Sequence, residues 1–281
     1  MLSILFGLAS ALSWGSGDFA GGLASRKLGA YRAVLYGDFF GLLALFVAAA
    51  VFPEDLPILS SLLIAALAGA LGSGGLLILY YSMTKGQMSI AASVSALLAA
   101  LLPVLVGAFT EGLPRLQQFA GFGFALLAIW MISQDEAEGG LHLERLSDLR
   151  LPFFAGLGFG CYFVFMHYAT IGVASTFWPM IASRTAGTLL LLGFVLTRRE
   201  RLGLQRDAWG IVLTNAILDV GGNFFYVLAL RTGRLDISAV LSSLYPGATV
   251  LLAWLILKER IAWIQWLGIA SALVAIVLFT V

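Results

Sequence analysis

Charge is what this sequence has least of. Asp, Glu, Lys and Arg make up 11% of its 281 residues, where a soluble domain has about 25%. There is one cysteine, Cys161, which excludes an internal disulfide and any paired-cysteine metal or redox motif. The two histidines, His142 and His167, are too few for a histidine-based metal cage. A net charge of +1 gives no basic surface for a nucleic acid. No G-x-x-x-x-G-K-[ST] loop is present, which excludes an ATP-driven pump for this chain alone. "GSGDFAG" at 15–21 superficially looks like a dinucleotide turn, but its third glycine falls one residue late and no strand precedes it. No cofactor and no metal are expected.

Apolar surface fills the place of charge. Hydrophobic residues make up 60% of the chain and the mean hydropathy is +0.98. A soluble core cannot absorb that much; a bilayer can. Ten runs are long enough to cross one: 2–24, 32–52, 58–83, 89–109, 116–134, 151–171, 177–197, 208–230, 237–257 and 261–281. The first lacks a basic leader and an A-x-A-like end, so it is expected to be a retained helix and not a signal peptide. The connectors are short except "QDEAEGGLHLERLSDLR" at 134–150, an acidic, glycine-bearing linker. The expected fold is all-α integral membrane, with ten transmembrane helices. It divides into a five-helix repeat at 1–134, a linker at 135–150 and a second five-helix repeat at 151–281.

The halves resemble each other at a nearly constant offset. Gly74, Gly75, Gly86 and Ile90 each stand 147 residues before Gly221, Gly222, Gly233 and Ile237; Glu111 and Gln117 stand 148 before Glu259 and Gln265. Five helices per repeat is odd, so the copies must insert in opposite directions, a common transporter plan with the site at the repeat interface. Chance matches in a glycine-rich chain are the alternative. Loops after odd-numbered helices hold 12 Lys and Arg, and even-numbered loops hold 3. Positive-inside then puts both termini outside.

Five ionisable residues stand inside the expected spans: Asp18, Asp38, His167, Arg184 and Asp219. A charge at a helix centre in lipid costs about 2.5 kcal/mol or more, so such groups normally face a cavity or a partner. Asp38 and Arg184 are 146 apart, and Asp18 and His167 are 149 apart. An inverted repeat is expected to bring each pair to opposite walls of one central space. Asp18 lies one turn beyond Trp14 on the same helix face. It suits a substrate ammonium or a proton; otherwise it is a hydrated acid near a helix end, or pairs with Arg26. Arg184 suits a carboxylate in two places; otherwise it forms a structural ion pair with Asp38 or Asp219. His167 is a candidate for proton coupling or a satisfied hydrogen-bonding residue. Asp219 and Asn223 share a face, either toward substrate or toward a neighbouring helix. Ser93, Ser95, Ser242 and Ser243 suit a zwitterion, or bond back to their own helix. Pro103 and Pro246 are expected to interrupt helices four and nine and act as hinges.

The stretches "LSWGSGDF" in helix one and "ALRTGRLDISAVLSSLYPGATVLLAWLILKERIAWIQWLGIASALVAIVLF" at 229–279 resemble the drug/metabolite transporter superfamily, of the ten-helix EamA type. The second stretch carries A-L-x-x-G, a proline inside helix nine, then E-R, then a glycine-bearing last helix. In the first half Pro103 stands 8 before Glu111, whereas Pro246 stands 13 before Glu259. The resemblance implies alternating access and a small-molecule substrate. "GSGDF…GGLASR" and the many aromatics are similar to aromatic and neutral amino-acid exporters. Multidrug, sugar and nucleotide-sugar transport are the alternatives. If that architecture holds, Tyr80, Tyr81, Tyr162, Phe163, Trp178 and Tyr245 lie on helices that surround the centre and line the cavity, or else serve as packing. The chain is expected in the cytoplasmic (inner) membrane as a functional monomer, with the lipid bilayer, a small molecule and, for His167, a proton as its partners. An intramembrane enzyme would need a clustered acid–base or metal motif that the sequence lacks.

Overall fold

The computed structural model describes residues 1–83, 88–134, 149–198, 203, 206–258 and 260–280; the side chains of residues 30, 80–83, 88–93 and 206 lie outside the description. Among the described residues the chain is helical with short turns and no strand. Lipid offers the backbone no hydrogen-bond partner, and a helix satisfies its own. The first half contains α1 (Leu2–Leu28), α2 (Ala30–Val51), α3 (Leu59–Met83), α4 (Met88–Thr110) and α5 (Leu116–Ile132). The second contains α6 (Arg150–Thr170), α7 (Phe177–Thr197), α8 (Trp209–Thr232), α9 (Leu235–Ser242), α10 (Tyr245–Leu252) and α11 (Trp263–Thr280). Among the described residues, seven segments are long and apolar enough to cross a membrane: Tyr31–Val51, Leu59–Leu79, Arg150–Thr170, Phe177–Thr197, Trp209–Thr232, Leu235–Leu257 and Trp263–Thr280. Val94–Thr110 and Leu116–Ile132 are shorter apolar helices. The 27-residue α1 is about 40 Å long at 1.5 Å per residue. The polar stretch Ser13–Asp18 dilutes its hydropathy.

The halves interlock. α1 packs on α8 and α3 on α6; α2 packs on α8 and α7 on α3; α4 packs on α6, and α9 with α10 on α1. Exchanging the halves maps these pairs onto one another. The correspondence reaches single residues. The Ser10 hydroxyl donates to the Gly222 carbonyl at 2.9 Å, joining α1 to α8. At the matching positions in the other half, Gly158 of α6 meets Gly75 of α3 so closely that a Cβ on Gly158 would stand 3.0 Å from the Gly75 Cα. Gly15 is pressed on α10, where a Cβ would lie 2.6 Å from the Ala248 Cβ. The glycines of "LSWGSGDFAGG" are thus contact surfaces of a packed helix.

The expected ninth helix is not continuous. α9 ends at Ser242, and Pro246 sits in the first turn of α10. The Ser243 hydroxyl donates back to the Ala239 carbonyl at 2.8 Å, and the Leu244 N–H closes onto Leu241 at 3.2 Å. A π-helical turn, Ala253–Leu257, follows α10 and ends at Lys258 in the left-handed region, φ 60°. Pro103 behaves differently and corrects the expectation of a second break: α4 runs through it. Leu102 and Val104 flank Pro103 and offer no competing hydrogen bond, so only one helical bond is lost. Two serines precede Pro246 by a turn and Gly247 follows it, which supplies both local hydrogen bonds and backbone freedom.

Candidate functional site

Halfway along the helices lies a charged cluster. Arg184 of α7 donates to Asp38 of α2 and to Asp219 of α8. The Arg184 and Asp38 side chains are each 12% exposed, so this ion pair is largely dry. Asn223, one turn along α8, donates to the Asp219 carbonyl at 2.7 Å and accepts from the Tyr162 hydroxyl of α6. Asp18 of α1 stands within electrostatic reach of Asp219. It is exposed, and it has no hydrogen bond or ion pair among the described residues. Two carboxylates therefore share one guanidinium, and a third beside them, Asp18, has no such partner and is accessible.

An aromatic layer covers this cluster on one side. Phe163 and Tyr226 meet in a tilted arrangement with centroids 4.9 Å apart, and Trp14 lies 5.8 Å from each. The Tyr226 hydroxyl donates to the Phe163 carbonyl at 3.0 Å, so its polar end is satisfied. Gly222 makes the seat for the Trp14 indole; a Cβ there would lie 2.6 Å from the indole nitrogen.

Beyond the layer, where α4, α6 and α8 end, is a cavity of about 530 Å³. Glu111, His167, Thr170, Arg231 and the loop 171–174 are among its lining. His167 Nε2 is 3.4 Å from Glu111 Oε1. Glu111 also accepts the Leu235 N–H at 3.0 Å and so satisfies the start of α9. Burial pushes the Glu111 carboxyl above the ordinary carboxylate range, against the pull of that amide. The order along α8 is Asp219, Asn223, Tyr226, Leu230, Arg231, and along α6 it is Tyr162, Phe163, His167, Thr170. Eleven to twelve residues of rise set the two polar regions roughly 17 Å apart.

The structure corrects one expected pairing. Asp38 and Arg184 meet, but Asp18 and His167 do not share a space: His167 faces Glu111 in the cavity, whereas Asp18 lies beside Asp219. The reason is depth. Asp38 and Arg184 both stand near the middles of their helices, α2 and α7. His167 is three residues from the end of α6, while Asp18 is ten from the end of α1. Trp178 also lies away from the cluster: its indole N–H donates to the Glu54 carbonyl at 3.1 Å, and the Glu54 carboxylate caps the start of α7 through the Thr176 and Phe177 amides at 2.8 Å. Ser95 is buried against Gly156, Ser243 bonds within α9, and Tyr245 packs with its carbonyl on Gly15. Tyr80, Tyr81 and Ser93 have side chains outside the described residues. Sequence reasoning missed Glu54, Tyr226, Arg231, Arg234 and Asp236 as members of polar or aromatic clusters. The one available signal was Glu111 at the repeat offset.

Among the described residues, apolar helices of spanning length packed around buried ion pairs define a multi-pass membrane protein. The model of the EamA-like transporter family matches residues 1–134 and 150–281. The chain belongs to that family, within the drug/metabolite transporter superfamily, and small molecules are what such a membrane protein transports. A solved crystal structure, described only as that of a protein, superposes with a TM-score of 0.81 at 17% identity, covering 99% of this chain and 96% of that one; it is similar in fold. Uncharacterized protein MJ1333.1 of Methanocaldococcus jannaschii is 29% identical over 101 residues, 36% of this chain and 74% of that protein.

Proposed function

We propose that the chain is a secondary transporter that exports small metabolites by alternating access, with aromatic and neutral amino acids as its substrates. The observation that carries this reading is the layering along α6 and α8: a charged cluster, an aromatic layer, then a polar cavity. In this reading the ten spans form two inverted five-helix repeats in the cytoplasmic membrane, with both termini and the cavity outside. The matched neighbours of the two halves and the two matches to one family model support that arrangement. Asp18 takes the substrate ammonium, and Trp14 and Phe163 the apolar side chain. Arg184 is engaged by two aspartates, so it positions them and meets a carboxylate only after one moves away. The break before Pro246 is the hinge. A monomer suffices, since one chain holds both halves.

A second reading is favoured by that engagement of Arg184: an unpaired acid beside a tryptophan suits an organic cation that has no carboxylate. Counterflow in proteoliposomes separates the two. Vesicles loaded with unlabelled compound should accumulate external labelled phenylalanine when the compound is an aromatic or neutral amino acid. Response to organic cations or sugars and to no amino acid would overturn the substrate assignment.

A further inference from the structure

The cavity at the ends of α4, α6 and α8 carries an unbalanced charge. Arg234 is held by Asp236 through contacts of 2.8, 3.1 and 3.2 Å, and it donates to the Glu111 and Gly112 carbonyls at 3.2 and 2.7 Å. Its Nε stays 3.9 Å from the Glu111 carboxylate. With His167 neutral, Glu111, Asp236 and Arg234 sum to one negative charge, and Asp236 is fully buried. The excess therefore falls on Glu111, which lines the cavity. On the other wall Arg231 donates to Thr176 Oγ1 at 2.7 Å and to the carbonyls of Val173, at 2.9 Å, and Ser175; Glu54 lies within electrostatic reach of it. Glu54 offsets the Arg231 charge on that wall, and both terminal nitrogens of Arg231 are engaged. A volume of about 530 Å³ exceeds what water alone requires and lies in the range of small-molecule sites, about 300–1,000 Å³.

We infer that this cavity is a second binding station, for the ammonium group of the transported metabolite, with the Glu111 carboxylate as its acceptor. It rests on the transport reading above. The station lies on the far side of the aromatic layer from Asp18, so an amine passes from one carboxylate to the other when the layer opens. His167 closes the inner end of the station beside Glu111, and the loop 171–174 bounds its mouth.

The test uses the full chain in nanodiscs with Asp18→Asn, which removes the mid-bundle acceptor. Phenethylamine and 3-phenylpropionate share a ring and a chain and differ in the charge of the head. The Asp18→Asn protein should bind phenethylamine at least tenfold more tightly than 3-phenylpropionate. Adding Glu111→Gln should abolish that preference and leave the affinity for 3-phenylpropionate unchanged. Glutamine keeps an acceptor for the Leu235 amide, and a melting curve checks the fold. Val173→Trp, which fills the cavity and leaves Glu111 in place, should also abolish phenethylamine binding. Phenethylamine affinity within twofold after Glu111→Gln, or no phenethylamine binding by Asp18→Asn, overturns the second station. Absence of counterflow for every compound tested with the wild type instead overturns the transport reading itself.

Discussion

The mid-bundle cluster and the end cavity are built from the same residue types and solve opposite problems. In the first, Arg184 is shared by Asp38 and Asp219 across three helices, and the charges sit in the middle of apolar spans. In the second, Glu111, Arg234 and Asp236 sit where helices begin and end, and they satisfy backbone groups that the helices leave open. In the first, the Arg184–Asp38 pair is largely shielded from solvent. The second borders a cavity. Loss of one charge should therefore cost far more in the middle than at the end.

The largest effect is expected from Arg184→Met. It leaves two carboxylates unpaired in the bundle and should destabilise the protein by about 3–5 kcal/mol, read as a fall in melting temperature in detergent. Asp38→Asn and Asp219→Asn, added together to that variant, should recover most of the loss. An unchanged melting curve for Arg184→Met would erase the distinction between the two regions.

Next in size is the seat of the layer between them. Gly222→Ala pushes on the Trp14 indole and should cost about 1–3 kcal/mol, with loss of counterflow. Gly74→Ala, on a glycine with open space around it, should be neutral or slightly stabilising. Equal damage from both would mean that Trp14 has no defined seat.

Smaller still is the pH response of the end cavity. Burial raises the Glu111 carboxyl, so folding favours its protonated form. The associated stability is present below the ordinary carboxylate range and is lost as pH rises through the raised value. Wild type should lose more melting temperature than Glu111→Gln between pH 4 and pH 8; the reverse order would contradict the assignment. The smallest effect is expected from Asp207→Asn. Lys27 holds the Asp207 carboxyl below its usual range at 3.0 Å, but both groups are on the surface, so no measurable change in melting is expected.

How much of this was legible in the sequence follows from the same comparison. Asp38, Arg184 and Asp219 interrupt apolar runs, so their cost in lipid marks them, and the repeat offset pairs the first two. Pro246 with Ser242, Ser243 and Gly247 marks the break in the ninth span. Pro103 carries the same residue type without those neighbours, and α4 continues. Glu54, Arg231, Arg234 and Asp236 were not legible, because a charge beside a connector looks like an ordinary solvated residue. Their roles depend on which helix ends meet in space. The depth of His167 was hidden too, because the pattern gives the register of a span and not the level at which it meets the others.

The central claim is that the aromatic layer of Trp14, Phe163 and Tyr226 separates two stations that open to opposite sides. The most direct test replaces the lone cysteine, Cys161→Ser, and introduces one new cysteine at a time. Val173→Cys lies on the cavity, and Gly22→Cys lies one turn beyond Asp18, where a side chain meets no neighbouring atom. A membrane-impermeant maleimide is applied to sealed vesicles from one face and then the other. We expect Val173→Cys to react from one face only and Gly22→Cys from the opposite face only. Reaction of both from the same face without substrate would contradict the account.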